Sequence, residues 1–296
     1  MCVRIITDSA SDLPAEYAAA HAVTVIPMTT VFGETEYVEG VTISHREFYE
    51  KLIEDDTLPK TSQLAPHQFE EVYKEAASAG DTAVVITLSS KLSGTYQNAV
   101  LASADYEDVI FPVDSLNATV GEQVLVKRAV MLAEEGKSAL EISEILHRER
   151  SRVCLIALLD TLEYLKKGGR ISPTTAFIGN MLSIKPVVTV RDGEVVVIGK
   201  ARGSKKGNNM LIEYIMEHGG AAFNYPVALG YTGLSDELLQ KYIEDSRTLW
   251  TDAFDALPVC TVGSTIGTHV GPGAIAVAYF QRSKTDMPIP TAPGPV

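Results

Sequence analysis

The sequence predicts an α/β fold in two domains. Residues 1–150 read as a three-layer unit, a parallel sheet with helices on both faces, and residues 151–283 as a mixed-sheet α/β unit. Three observations predict this. Short, almost wholly apolar runs alternate with helical patterns through the first half, as strands covered on both faces require. Around residues 146–152 the pattern changes, and strand-like runs follow one another with less helix between them. Asp192-Gly193 stands between two β-branched runs, a hairpin signal that brings in antiparallel pairing.

The elements support this in order. VRIITD at residues 3–8 is a strand built on Val3, Ile5 and Ile6; Ser11 or Asp12 then reads as a helix N-cap, with Pro14 in the first turn. VTVIPMTTVF (23–32) reads as a second strand. In SHREFYEKLIEDD (44–56), Phe48 and Leu52 share a helical face, and Ser44 with Glu47 forms a capping box. A further helix over 64–80 ends at Gly80. TAVVITLS (82–89) is a buried strand followed by a helix over 93–105. DVIFPVDS (108–115) is a strand followed by a long amphipathic helix over 121–135. In the second half, 153–160, the two arms of 185–202, and 226–232 read as strands. GSKKGNN (203–209) does not read as a helix-forming run, and the Pro-rich end at 284–296 reads as a disordered tail.

Composition narrows the function. Six histidines and three scattered cysteines (Cys2, Cys154, Cys260) show no CxxC or HxxxH spacing, so no metal site is expected. The odd cysteine count fits a reducing, cytoplasmic setting. The N-terminus turns polar within seven residues, unlike a signal peptide, and no apolar run is long enough to span a bilayer. A net charge of −13 argues against nucleic acid as the main partner. The charge is uneven: residues 150–206 hold eleven Lys/Arg against four Asp/Glu, a net +7, so the remainder carries −20. Such an island is a solvated face or a docking patch for an acidic partner or a phosphate.

Ligands of open α/β sheets bind beyond the carboxyl ends of the strands. Four loops there are rich in hydroxyls: 7–12, 60–63, 89–95 and 114–119. One such loop is ordinary helix capping. Four on one edge predict a hydroxyl-lined crevice suited to an anion. Neither GxxxxGK[ST] nor GxGxxG occurs, so no nucleotide cradle or other cofactor is expected. Ser93 with His269 as base and Asp114 as orienter supplies the residue types of a serine hydrolase for acyl esters. The sequence there reads KLSGT, without the G-x-S-x-G elbow, so this is the alternative reading. Thr268 and His269 stand against a Gly-Pro-Gly corner that reads as a strand end, ahead of the apolar run 274–280. That pair is a base with its neighbour, an anion clamp, or the polar lip of a core element.

Taken in order, TDSASDLP (7–14), KTSQLAP (60–66), LSSKLSGTYQNA (88–99), VDS (113–115), LEYLKKGGRIS (162–172), KP (185–186), GKAR (199–202) and THVGPGA (268–274) resemble the DegV family of bacterial fatty-acid-binding proteins. The resemblance implies a two-domain DegV-like fold with one long-chain fatty acid, such as palmitate or oleate, buried between the domains. It implies a monomeric, non-catalytic carrier that presents the carboxylate to a partner fatty acid kinase, which forms an acyl-phosphate. By match to the family's motifs, Thr61, Ser62, Ser93, Gly94, Thr95 and His269 contact the carboxylate, with Thr268 beside them. Arg170 and Arg202 match basic positions assigned to kinase docking. A carboxylate has no proton to lose, so His269 is expected to donate rather than act as a base. A phosphotransfer enzyme of the dihydroxyacetone-kinase type, a fold relative, would need a nucleotide motif that the sequence lacks.

Overall fold

A computed structural model describes residues 2–55, 57–172, 184–250 and 257–283. The chain begins β1 (Val3–Asp8), α1 (Ala15–Ala20), β2 (Thr24–Ile26), β3 (Thr29–Phe32), β4 (Thr35–Val38), α2 (His45–Glu54), β5 (Lys60–Ser62) and α3 (Pro66–Ser78). It continues β6 (Thr82–Thr87), α4 (Thr95–Ala102), β7 (Ile110–Asp114), α5 (Val120–Glu134) and α6 (Ala139–Glu149). Then follow β8 (Val153–Leu158), α7 (Glu163–Lys167), β9 (Ile184–Arg191), β10 (Glu194–Arg202) and α8 (Ser204–Glu217). Last come β11 (Val227–Tyr231), α9 (Glu237–Asp245), α10 (Arg247–Trp250), β12 (Val259–Thr261), α11 (Ser264–Val270) and β13 (Ile275–Phe280).

The apolar runs of the first half form a parallel sheet in the order β2-β1-β6-β7. Side chains alternate across it, as a pleated strand requires. Ile5, Val84, Ile86 and Val113 face α5 and α6. Ile6, Ala83, Val85 and Ile110 face α3 and α4. This is the expected three-layer arrangement. The second half forms a six-stranded mixed sheet, β10-β9-β8-β13-β11-β12, in which only β11 and β12 run parallel. The predicted hairpin pairs Glu194 with Arg191 and turns through Asp192 and Gly193, both at positive φ (52° and 84°). That is the primed turn whose twist matches paired strands. Ile156, Leu158, Val187 and Val277 pack under α8 and α9. On the other face, Leu155, Ala157, Val188 and Ala278 share a core with α5. Thus α5 is not the half-exposed amphipathic helix expected from its pattern. It buries eleven residues, Glu122 and Gln123 among them, because sheets pack on both of its sides.

Four local readings are corrected. VTVIPMTTVF is two strands broken at Pro27-Met28: β2 joins the parallel sheet, and β3 joins a small antiparallel sheet, β4-β3-β5. Residues 9–11 form a single 3-10 turn capped by Asp8, whose Oδ1 accepts from the Ala10 N–H at 3.0 Å; Asp12 follows at φ 49°, and α1 starts only at Ala15. GSKKGNN is largely helical after all: α8 starts at Ser204 and buries Gly207 and Asn208 against the mixed sheet, so tertiary packing overrides weak propensity. The Gly-Pro-Gly corner ends a helix, α11, with Gly271 at φ 71° as its cap. The capping box of Ser44 and Glu47 and the Gly80 stop are as expected. The tail reading for 284–296 lies outside the described residues.

The hairpin turn also docks onto the first half. The Ser89 hydroxyl donates to the Gly193 carbonyl at 2.8 Å, and a Cβ on Gly193 would stand 2.5 Å from that hydroxyl. Gly193→Ala is therefore expected to destabilise the protein by about 1–3 kcal/mol, from the left-handed backbone and the lost fit. A lower urea midpoint at unchanged slope would show it. An unchanged midpoint would mean that the turn relaxes without cost.

Candidate functional site: a cavity between two sheets

A cavity of about 430 Å³ lies on the α5 side of the mixed sheet, within the size range of small-molecule sites. Small side chains create it. Ala157 on β8, Ala276 on β13 and Ala118 before α5 line it where larger residues would meet, while Gly230 on β11 lets Val120 and Val262 pack close beside it. Leu155, Val188, Val195 and Ile266 complete apolar walls.

Polar groups collect where three connections converge. Thr61, Ser62 and Gln63 come from β5 and the residue after it, Ser93 and Gly94 precede α4, and His269 comes from α11. Pairing of Thr61 with Thr30 fixes the first group. The Thr61 hydroxyl and His269 Nε2 lie 2.9 Å apart. His269 packs against Gly168, where any Cβ would overlap Nδ1, so a glycine directly after α7 is needed for this approach. Nδ1 is buried and without a partner among the described residues. Burial, helped by the nearby Arg170 guanidinium, pushes the His269 pKa down to about 4, so the ring is neutral at neutral pH.

Five of the sequence-predicted contacts line this cavity: Thr61, Ser62, Ser93, Gly94 and His269. Two do not. Thr95 is fully buried behind Ser93; its hydroxyl lies 2.9 Å from the Ser93 hydroxyl and accepts from the Leu64 N–H at 3.4 Å. Thr268 turns its hydroxyl back to the Ser264 carbonyl at 2.8 Å. Successive helical residues sit about 100° apart, so Thr268 cannot share the face of His269. Arg170 does line the cavity, donating from Nε to the Leu92 carbonyl at 3.1 Å and from a terminal nitrogen to the Gly168 carbonyl at 2.6 Å. Arg202 is exposed at the end of β10.

Sequence reasoning did not single out Gln63, Thr119 and Thr265, which also line the cavity. The loop 7–12 put Asp8 and Asp12 at this edge, but their burial together with Glu39 and Glu122 was not foreseen. Burial pushes Asp8 up to about 7 against the pull of the Leu88 and Ala10 N–H groups. Burial and neighbouring carboxylates hold Asp12 and Glu122 well above the usual range. Among the described residues, no group of three or more His, Cys, Asp or Glu could hold a metal ion. The hydrolase constellation is not assembled. Ser93 pairs with Thr95 and His269 with Thr61, while Asp114 accepts the Ser90 and Leu116 N–H groups at 3.1 and 3.0 Å.

The sequence model of the DegV family, described as uncharacterised, matches residues 2–282. A DegV domain-containing protein of Caldanaerobacter subterraneus subsp. tengcongensis is 35% identical over 288 residues, spanning 95% of this chain and 99% of that one. The solved structure of a fatty-acid-binding DegV family protein from Thermus thermophilus matches with a TM-score of 0.83 at 31% identity, covering 95% of this chain and 100% of the other. A stearic-acid-binding protein from Eubacterium ventriosum matches with a TM-score of 0.81 at 27% identity, covering 93% and 97%. Among the described residues no helix is long and apolar enough to cross a membrane.

His269 should carry a measurable pH signature. The unfolded ring takes up its proton near pH 6.5, whereas the folded ring does so only near 4. As pH falls from 6.5 to 4, the unfolded chain gains a proton that the folded chain does not, so His269's contribution to stability is progressively lost. NMR titration of the His269 ring in the folded protein should give a midpoint near 4, well below 6.5. A midpoint near 6.5 would show a solvated ring.

Proposed function

The chain belongs to the DegV family, and on that premise we propose that it binds one long-chain fatty acid in this cavity and presents the carboxylate to a partner fatty acid kinase. The observation that carries the reading is the division of the cavity: apolar walls along its length, and Thr61, Ser93 and His269 gathered with other polar residues. A fatty acid has this division of needs. Its chain gains about 0.8 kcal/mol per buried CH₂, on the order of 10 kcal/mol gross for a long chain, and ordering and association costs offset much of that. Its carboxylate cannot be buried without donors. The hydroxyls of Thr61, Ser62 and Ser93 can donate, and His269 Nε2 stands with them, 2.9 Å from the Thr61 hydroxyl. The start of α4, which has no side-chain cap, adds the positive end of a helix dipole.

Neutral donors hold the anion without a tight ion pair and leave an oxygen free for phosphoryl transfer. The carboxylate needs no base, and a histidine that titrates near 4 suits a donor at neutral pH. The protein therefore acts as a carrier without chemistry of its own. Binding of fatty acid by the Thermus thermophilus relative supports the ligand class, and stearic acid in the Eubacterium ventriosum protein supports a long saturated chain. Arg202, exposed at the end of β10 in the basic stretch of the chain, is assigned to kinase docking. Arg170, at the cavity itself, serves the head-group end as well as the docking face.

Lipid extraction and native mass spectrometry of the purified protein should recover a fatty acid such as palmitate or oleate. No bound lipid, and no uptake of added fatty acid, would overturn the reading. Ser93→Ala and His269→Ala are each expected to lower fatty-acid affinity about tenfold, the size of one lost hydrogen bond to a charged group, without unfolding the protein. Arg202→Ala should leave binding intact and slow phosphorylation of the bound acid in a reconstituted kinase assay. An unchanged rate would remove the docking assignment.

A further inference from the structure

We propose that Glu39 is a positioning residue for the head-group end of the cavity: it fixes the start of α11 and so holds His269 against Thr61. The ligand half of this inference rests on the fatty-acid reading above; the histidine half does not.

Helix α11 is short, only Ser264–Val270, and its N-cap, Gly263, has no side chain to cap it. Two turns cannot hold themselves in place, and a helix start leaves N–H groups in need of acceptors. Carboxylates from the far end of the chain supply them. The Gly263 N–H donates to Asp12 Oδ1 at 2.7 Å, and the Thr265 N–H to Glu39 Oε1 at 3.0 Å. Glu39 takes three more bonds. The Ser264 hydroxyl donates to Oε1 at 3.1 Å, and the Thr265 and Ser9 hydroxyls to Oε2 at 2.9 and 2.5 Å. Glu39 is 6% exposed, and each of these partners of its carboxylate is a neutral donor.

The same residue is fixed to the sheet that carries Thr61. The Glu39 N–H donates to the Met28 carbonyl, just ahead of β3, and in β3 Thr30 pairs with Thr61 of β5. Thr30 also donates to the Ser264 hydroxyl at 3.1 Å. Glu39 therefore joins the helix bearing His269 to the strand bearing Thr61. His269 lies four residues beyond Thr265, about one turn along the same helix. A displacement of the first turn moves the ring with it, and the 2.9 Å contact with Thr61 tolerates only a few tenths of an ångström.

The first test needs no ligand. In Glu39→Ala, the NMR titration midpoint of His269 should rise from near 4 toward 6.5 as the ring leaves its buried seat. Glu39→Gln keeps an oxygen acceptor and offers an amide to the hydroxyls, so its midpoint should stay low. The second test separates positioning from general weakening. Glu39→Ala should lower palmitate affinity about tenfold and hexadecanol affinity less than about twofold, because only the acid uses the head-group donors. Equal losses for acid and alcohol, an unmoved His269 midpoint, or a glutamine variant no better than alanine would each overturn the proposal. If Glu39→Ala does not fold, Glu39→Asp, one methylene too short, carries the same two readouts. If the unaltered protein binds no palmitate, the fatty-acid reading falls, while the His269 midpoint still decides the role of Glu39.

Discussion

Helix α5 is packed from both sides, so neither sheet can bury its inner face without the other. Val124, Ala129 and Val130 of the helix lie in one continuous core with Val84 and Ile86 of the parallel sheet and Leu155 and Ala278 of the mixed sheet. A core of this kind is filled to crystal-like density unless its residues are too small to meet. Around the start of α5 they are too small: Ala118, Ala157 and Ala276 line the space that becomes the cavity. The cavity is thus a consequence of how two sheets share one helix, with side-chain volume deciding where the sharing is incomplete.

The same arrangement explains where the polar groups sit. Strand ends of the parallel sheet bring Ser93 and Gly94 to the rim, since β6 points its carboxyl end there. The small third sheet brings Thr61, because β5 pairs with β3. The last helix, α11, brings His269 from residues nearly two hundred positions later. Backbone N–H groups and hydroxyls of α11 end on Asp12 and Glu39, and Gly267 packs on Phe48 and Tyr49, so several ties hold these stretches together.

Much of this was legible in the sequence, for identifiable reasons. The continuous apolar run of TAVVITLS and the turn Asp192-Gly193 are local signals, and both became the expected strand and hairpin. The Ser44–Glu47 capping box is local too. Where the deciding partner is distant, local reading failed. Nothing near Gly263 announces a helix start, because its acceptors are Asp12 and Glu39. Lys60–Ser62 becomes a strand only through β3. Thr95 and Thr268 adjoin lining residues in sequence but point away from the cavity, into hydrogen bonds of their own. Chain neighbours share a motif; they do not share a helical face.

Placing acids near the site of an anion looks self-defeating, and the energetics show why it is not. An ionised carboxylate buried beside others is costly. The protein answers in two ways. Asp8, Asp12 and Glu122 are pushed up by burial and by one another, so proton uptake removes charge from the cluster. Glu39 is instead supplied with donors from Ser9, Ser264 and Thr265. Its carboxyl oxygens orient α11, and that helix places a neutral imidazole at the cavity. The repulsion of the Arg170 guanidinium, after burial, helps keep the ring neutral. The result is a rim of neutral donors beside one guanidinium, set in a chain of net charge −13. Such a rim suits an anion held by hydrogen bonds, which depend strongly on geometry, so the residues that fix geometry matter as much as those that line the cavity.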